Sequence, residues 1–275
     1  MNKEKFYNSL KGTSETKNGR LKRNVSSERW KTAYFSEEEF WNDFSIDSLE
    51  KTYTKRFKRK AQILLNQLKK YIKINKDIRI LQIGCGPEDV INHFEIGERH
   101  SIDPLADFYK KRFRVDYDSS NLIKAAGEDI PFEEDYFDVV ILANVLDHTH
   151  MPTKVLSEIN RVLKKKGILY FENYVYQKNF LRVAGIWGFI KEKIKKEIYN
   201  IHHPYMFTMK DLRDLLTVEF NILSEDIGGW DMEGSDKIEE IIKSLKNNEK
   251  SSLRFLAKFG IYSGVNYMCI CGKKN

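Results

Sequence analysis

Two glycines and one carboxylate carry the clearest chemistry in this 275-residue chain. Gly84 and Gly86 interrupt the aliphatic run Ile78–Arg79–Ile80–Leu81–Gln82–Ile83, and Asp103 closes the next apolar run nineteen positions after Gly84, in Ser101–Ile102–Asp103–Pro104. Glycines at a strand-to-helix turn let a ligand approach the backbone, and a carboxylate at the tip of the following strand can accept both hydroxyl hydrogens of a ribose. The pattern predicts an adenosine-like nucleoside. A second set of residues is suited to moving a proton. His148 stands one helical turn after Asn144, beyond the apolar run Tyr136–Ala143, and an imidazole with an ordinary pKa of about 6.5 accepts a proton at neutral pH. His202 and His203, ahead of Pro204–Tyr205, rank next, then His150 and Asp147.

The residues just beyond the glycines separate two nucleoside cofactors. A dinucleotide site places a third glycine where the helix begins, so that the pyrophosphate meets free N–H groups at the helix N-terminus. Here Pro87, Glu88 and Asp89 come after Gly86, and two carboxylates at a helix start would repel a pyrophosphate. A cationic sulfonium tolerates that acidity, which favours S-adenosylmethionine over NAD.

Strands, a loop and a helix are needed to hold these residues in place, and the sequence supplies them in order. Asn121–Ala126 reads as a short strand, Gly127–Phe132 as an acidic loop, and Tyr136–Ala143 as a buried parallel-type strand with Asn144 at its carboxyl end. Val155, Ile159, Val162 and Leu163 recur at helical spacing, and Lys164–Gly167 precedes a strand Ile168–Phe171. From about Ile78 to Glu172 this run resembles the class I S-adenosylmethionine-dependent methyltransferases, especially the small-molecule branch with loops of the E-D-I-P-F type. The resemblance implies an α/β, Rossmann-like, doubly wound sheet of seven strands, mostly parallel with the last strand antiparallel, carrying N-terminal helices and helical lid inserts. It also implies that Gly84 and Gly86 form the backbone floor under the methionine part and that Asp103, with Pro104 beside it, meets the ribose. By the same likeness Asp129 and the backbone of Ile130 would meet the adenine amino group, and Asn144 would lie near the methionine end. Gln82 stands where many relatives place an acidic residue for the cofactor's ammonium, and Glu88 replaces the third glycine. His202–His203–Pro204–Tyr205 is similar to a run whose residues face the acceptor in relatives.

Size, charge and cysteine usage narrow the rest. The net charge of +7 invites a nucleic-acid partner, but the lysines are spread along the chain among acids without a recognised module, so a solvated surface is expected. No apolar run approaches the roughly 20 residues that span a bilayer, the start Met1–Lys5 is polar, and the three cysteines make neither a disulfide framework nor a metal-ligand set. A cytoplasmic protein without a resident metal is expected, with Cys85 packed under the glycine loop.

The organisation expected is an N-terminal tail and cap helices over residues 1–75, then a catalytic domain over 76–275 with inserts at about 178–203 and 226–264. Ser36–Glu39 is expected to cap a helix ahead of Phe40, Trp41 and Phe44, and a longer helix is expected from about Ser48 to Tyr71. The aromatics Tyr34, Phe35, Phe40 and Trp41 form either a core staple or a wall of the acceptor pocket. Asn144 begins Asn–Val–Leu–Asp rather than the Asn/Asp–Pro–Pro–aromatic motif of amino-methylating relatives, so oxygen is the first choice of acceptor atom, on a sugar or secondary metabolite. The alternatives are a nucleic-acid or protein methyltransferase, or a protein that binds the cofactor without turnover; the oligomeric state is not predicted.

Overall fold

The computed structural model describes residues 16–17, 20–21, 25–46, 54–113, 121–181, 202–227 and 265–273. Seven strands form its principal sheet: β1 (Arg79–Ile83), β2 (Glu98–Ile102), β3 (Leu122–Ile123), β4 (Phe137–Ala143), β5 (Leu163–Val175), β6 (Phe220–Ile227) and β7 (Val265–Lys273). Their spatial order is β3-β2-β1-β4-β5-β7-β6. The neighbours from β3 to β5 pair in parallel, and β7 runs antiparallel to both β5 and β6. The order reverses beside β1, which opens a crevice at the carboxyl ends of β1 and β4 and places the ligand-bearing loops there.

Alternate residues of the central strands feed two cores, because successive side chains of a strand point to opposite faces. Leu81, Ile83, Val140 and Leu142 pack with Val155, Ile159 and Leu212 from α4 (Pro152–Val162) and α5 (Met209–Glu219). Ile80, Val139 and Ile141 pack on the other face against Ala61, Leu64 and Leu68 of α2 (Thr54–Leu68). Burial on both faces explains why these strands read as continuous apolar runs rather than alternating ones. A third cluster joins α3 (Ala106–Phe113) to α1 (Ser27–Asp43): Tyr109 and Phe113 meet Trp41 and Phe44. Among the described residues no helix is long and apolar enough to cross a membrane.

Four expectations change. Ser36 does not start a helix. α1 begins at Ser27, where the Ser26 hydroxyl accepts from the Arg29 N–H, and Ser36 is buried in mid-helix. No α-helix succeeds the glycine turn, where a four-residue 3-10 turn, Val90–His93, completes the connection. Asp89 holds that turn by accepting from the Ile91 N–H and from the Ser101 hydroxyl, so its carboxylate is occupied by the fold. The helix expected over 48–71 ends at Leu68 as α2, Thr54–Leu68, and residues 48–53 lie outside the described residues. β5 begins at Leu163 rather than after Gly167, continuing directly from α4. Most of both expected inserts, residues 182–201 and 228–264, lies outside the described residues.

Candidate functional site

Gly84 and Gly86 take φ of +63° and +65°, the left-handed region that only glycine enters without cost. At Gly84 a side chain would also collide with Val145, since a Cβ there would stand 2.4 Å from its Cγ2. At Gly86 a Cβ would meet no atom of the described residues within 4 Å. Asp103 arrives from the end of β2 and fixes the turn, accepting from the Gly86 N–H at 3.0 Å and the Leu105 N–H at 2.8 Å. Burial pushes its carboxyl up to about 6 against the pull of those two donors, with Glu37 adding to the rise. Spare lone pairs remain on a carboxylate that has lost its water.

These residues border a cavity of about 430 Å³, floored by the strand ends and roofed by the N-terminal helices. Gln82, Gly84, Gly86, Asp103, Pro104 and Asn144, all singled out from sequence, line it. Gln82 is also tied into the 3-10 turn, its Oε1 accepting from the Ile91 N–H at 3.3 Å. Asn144 takes φ of +57°, a strained position for a residue other than glycine, and its N–H and side-chain amide both donate to Glu172. Glu172 is fully buried and pairs with Lys60 of α2 at 3.4 Å. Glu88 lines the cavity as well, but its carboxylate pairs with His93 at 2.8 Å. Cys85 packs as expected, its thiol pushed well above the ordinary value by burial.

The two residues expected near the adenine stand outside the cavity lining. Asp129 is exposed, and Ile130 is buried in the core with its N–H donating to Glu158 at 3.2 Å. The cavity is lined instead by Ala125, Ala126, Gly127 and Glu128. Glu128 is held at the cavity edge by accepting from the backbone N–H groups of His150 and Met151.

The histidines separate by environment. His148 lines the cavity, with its ring centroid 4.4 Å from that of His203. His203 donates from Nδ1 to Asp147 at 2.7 Å. Burial pulls the His203 imidazole down, but the hydrogen bond and charge of Asp147 outweigh it and hold it above its ordinary value. Asp147 shows the reciprocal balance: burial raises it, and the charges of His148 and His203 bring it below the usual carboxylate range. His202 turns away from this group and bonds Ser36 at 3.0 Å.

The N-terminal helices supply what the motifs do not reveal. Trp30, Tyr34, Glu37 and Trp41 recur three to four residues apart on one face of α1 and, with Ala33 beside them and Arg56, Phe57 and Lys60 from α2, form the roof. The Trp30 indole N–H donates to the His148 carbonyl at 3.1 Å, and Glu37 lies 3.8 Å from His148 Nδ1. Phe35 and Phe40 are exposed instead, so the aromatic set splits between pocket wall and surface. The 3-4 periodicity of Trp30, Tyr34, Glu37 and Trp41 is the signal in the sequence that marks this face.

Known proteins give the arrangement a context. Residues 81–171 match the family described as a methyltransferase domain. A thiol S-methyltransferase of Rattus norvegicus is 28% identical over 165 residues, covering 58% of this chain and 67% of the relative. A solved Pyrococcus horikoshii protein shares the fold with a TM-score of 0.52 at 18% identity, covering 86% of this chain and 99% of that one. The geranyl diphosphate C-methyltransferase of Streptomyces coelicolor, solved with S-adenosyl-L-homocysteine, superposes at a TM-score of 0.51 and 12% identity, covering 78% and 75%. The two structural likenesses speak for the fold alone.

Proposed function

This chain is a class I S-adenosylmethionine-dependent methyltransferase, and on that premise we propose that it methylates an oxygen atom of a small molecule. The observation that carries the proposal is one cavity bordered both by the glycine cradle with Asp103 and by His148. The residues suit the cofactor. Asp103 would accept from the ribose, the backbone of Ala126–Glu128 would border the adenine, and Gly84, Gly86 and Asn144 would border the methionine end. S-adenosylmethionine supplies an electrophilic methyl group on a sulfonium; the acceptor supplies a lone pair and gives up a proton.

The volume argues for a small acceptor. Ligand pockets run from roughly 300 to 1,000 Å³, and about 430 Å³ shared with a cofactor lies toward the lower end of that range. Trp30, Tyr34 and Trp41 give that roof an aromatic lining, suited to excluding water and to facing a cationic sulfonium. The polar group at Asp147, His148 and His203 is where the acceptor's proton would be dealt with.

A thiol acceptor is the second reading, favoured by the rat relative's activity. Thiols ionise near pH 8.5 and need less help than alcohols. Product formation from matched hydroxyl and thiol acceptors separates the two. Oxygen methylation lost in His148→Ala supports the first reading, and thiol methylation indifferent to that substitution supports the second.

A further inference from the structure

We propose that Asp147, His148 and His203 form a binding site for a divalent transition metal on the acceptor side of the cavity. Their ligand atoms lie within 4.8 Å of one another, although Asp147 and His203 are 56 residues apart in the chain. Asp147 is 1% exposed; one carboxylate oxygen receives the His203 N–H, and the other, Oδ1, is buried with no hydrogen-bond partner among the described residues. A buried carboxylate oxygen without a donor is costly, and a cation beside it would remove that cost. Two imidazoles and a carboxylate suit zinc, iron(II) or a similar borderline metal, with further positions open to a ligand. They suit magnesium poorly, since it takes oxygen ligands.

The surroundings are consistent with this assignment. His148 presents the site to the cavity, Glu37 stands near its Nδ1, and Arg29 donates to the His203 carbonyl at 3.3 Å, fixing that backbone. Binding exchanges the His203–Asp147 hydrogen bond for coordination and releases the Nδ1 proton to solvent. The inference rests on the small-molecule methyltransferase reading and deepens it. The acceptor is then a molecule whose hydroxyl or thiol can reach the open side of the cation, which weakens its hold on hydrogen. The proton leaves to water, the freed lone pair forms the bond to the methyl carbon, and the carbon–sulfur bond of the sulfonium breaks with both electrons staying on sulfur.

The test uses the full chain, freed of metal by a chelator and titrated with zinc by calorimetry and with cobalt(II) by absorption spectroscopy. The expected result is one equivalent bound, with ligand-field bands of a four- or five-coordinate site, proton release and a raised melting temperature. His148→Ala and His203→Ala, at partly exposed positions, should each weaken binding by more than about 10-fold, while His202→Ala binds as the parent does. No stoichiometric binding, or binding unchanged in both variants, overturns the site. S-adenosylmethionine titrated into the metal-free protein separates the two readings. Cofactor binding and methyl transfer without metal uptake leave the methyltransferase reading intact and remove the metal. Metal uptake without transfer to any hydroxyl or thiol acceptor does the reverse.

Discussion

The two walls of the cavity are built in different ways. On the cofactor side, Gly86 and Asp103 lie 17 residues apart and are joined by one hydrogen bond, from the Gly86 N–H to the Asp103 carboxylate, within a single β-turn-β unit. On the acceptor side, Trp30 meets His148 across 118 residues and Ser36 meets His202 across 166. The first wall is held by sheet register, while the second exists only when α1 docks against loops from the far half of the chain. Cofactor binding and acceptor binding should therefore be separable by mutation.

The largest contrast is expected inside the cradle itself. Gly84→Ala adds left-handed strain of about 1–2 kcal/mol to a collision with Val145 costing about 1–3 kcal/mol. It should lower the melting temperature sharply and abolish cofactor binding. Gly86→Ala, with no atom of the described residues within 4 Å of its Cβ, should show the strain alone. Equal melting temperatures for the two variants would contradict the collision.

Asp103→Ala ranks next, weakening S-adenosylmethionine by about 1.5–3 kcal/mol, the loss of hydrogen bonds to a charged acceptor. The same group makes the cofactor wall sensitive to pH. The groups that interact with it are the N–H groups of Gly86 and Leu105, with Glu37, Tyr34 and Cys85. Its folded value of about 6 lies above the ordinary 3.8, so the fold favours the neutral form. Its penalty on stability is present at pH 7 and relaxes as pH falls from about 6 toward 3.8. Cofactor affinity, which uses the ionised form, should fall over that same window. Affinity in Asp103→Ala should be flat there, and calorimetry across pH checks it.

The same division explains what is legible in the sequence. The strands, the glycine cradle, Asp103 and Asn144 are local patterns of strand and turn. The tie from Glu128 to the His150 and Met151 N–H groups spans more than twenty residues and leaves no local pattern. Ser36 looks like a cap because the partner of its hydroxyl, His202, stands far along the chain. The trio of Asp147, His148 and His203 has no sequence spacing to betray it.

Two smaller changes probe the acceptor wall alone. Trp30→Phe keeps an aromatic ring but removes the N–H bond to the His148 carbonyl, worth about 1 kcal/mol; it should raise KM for the acceptor a few-fold and leave cofactor affinity unchanged. Ser26→Ala removes the α1 cap and should cost about 1 kcal/mol of stability. A larger loss of cofactor affinity than of acceptor affinity in either variant would break the separation of the walls.

Whether one cavity carries both a cofactor wall and a reacting wall is decided by calorimetric titration of S-adenosylmethionine into His148→Ala, paired with the methyl-transfer rate of the same variant. Parental cofactor affinity is expected, with transfer slowed by about 10²–10⁴-fold. Parental turnover, or cofactor binding lost together with turnover in a folded variant, would contradict the two-walled cavity.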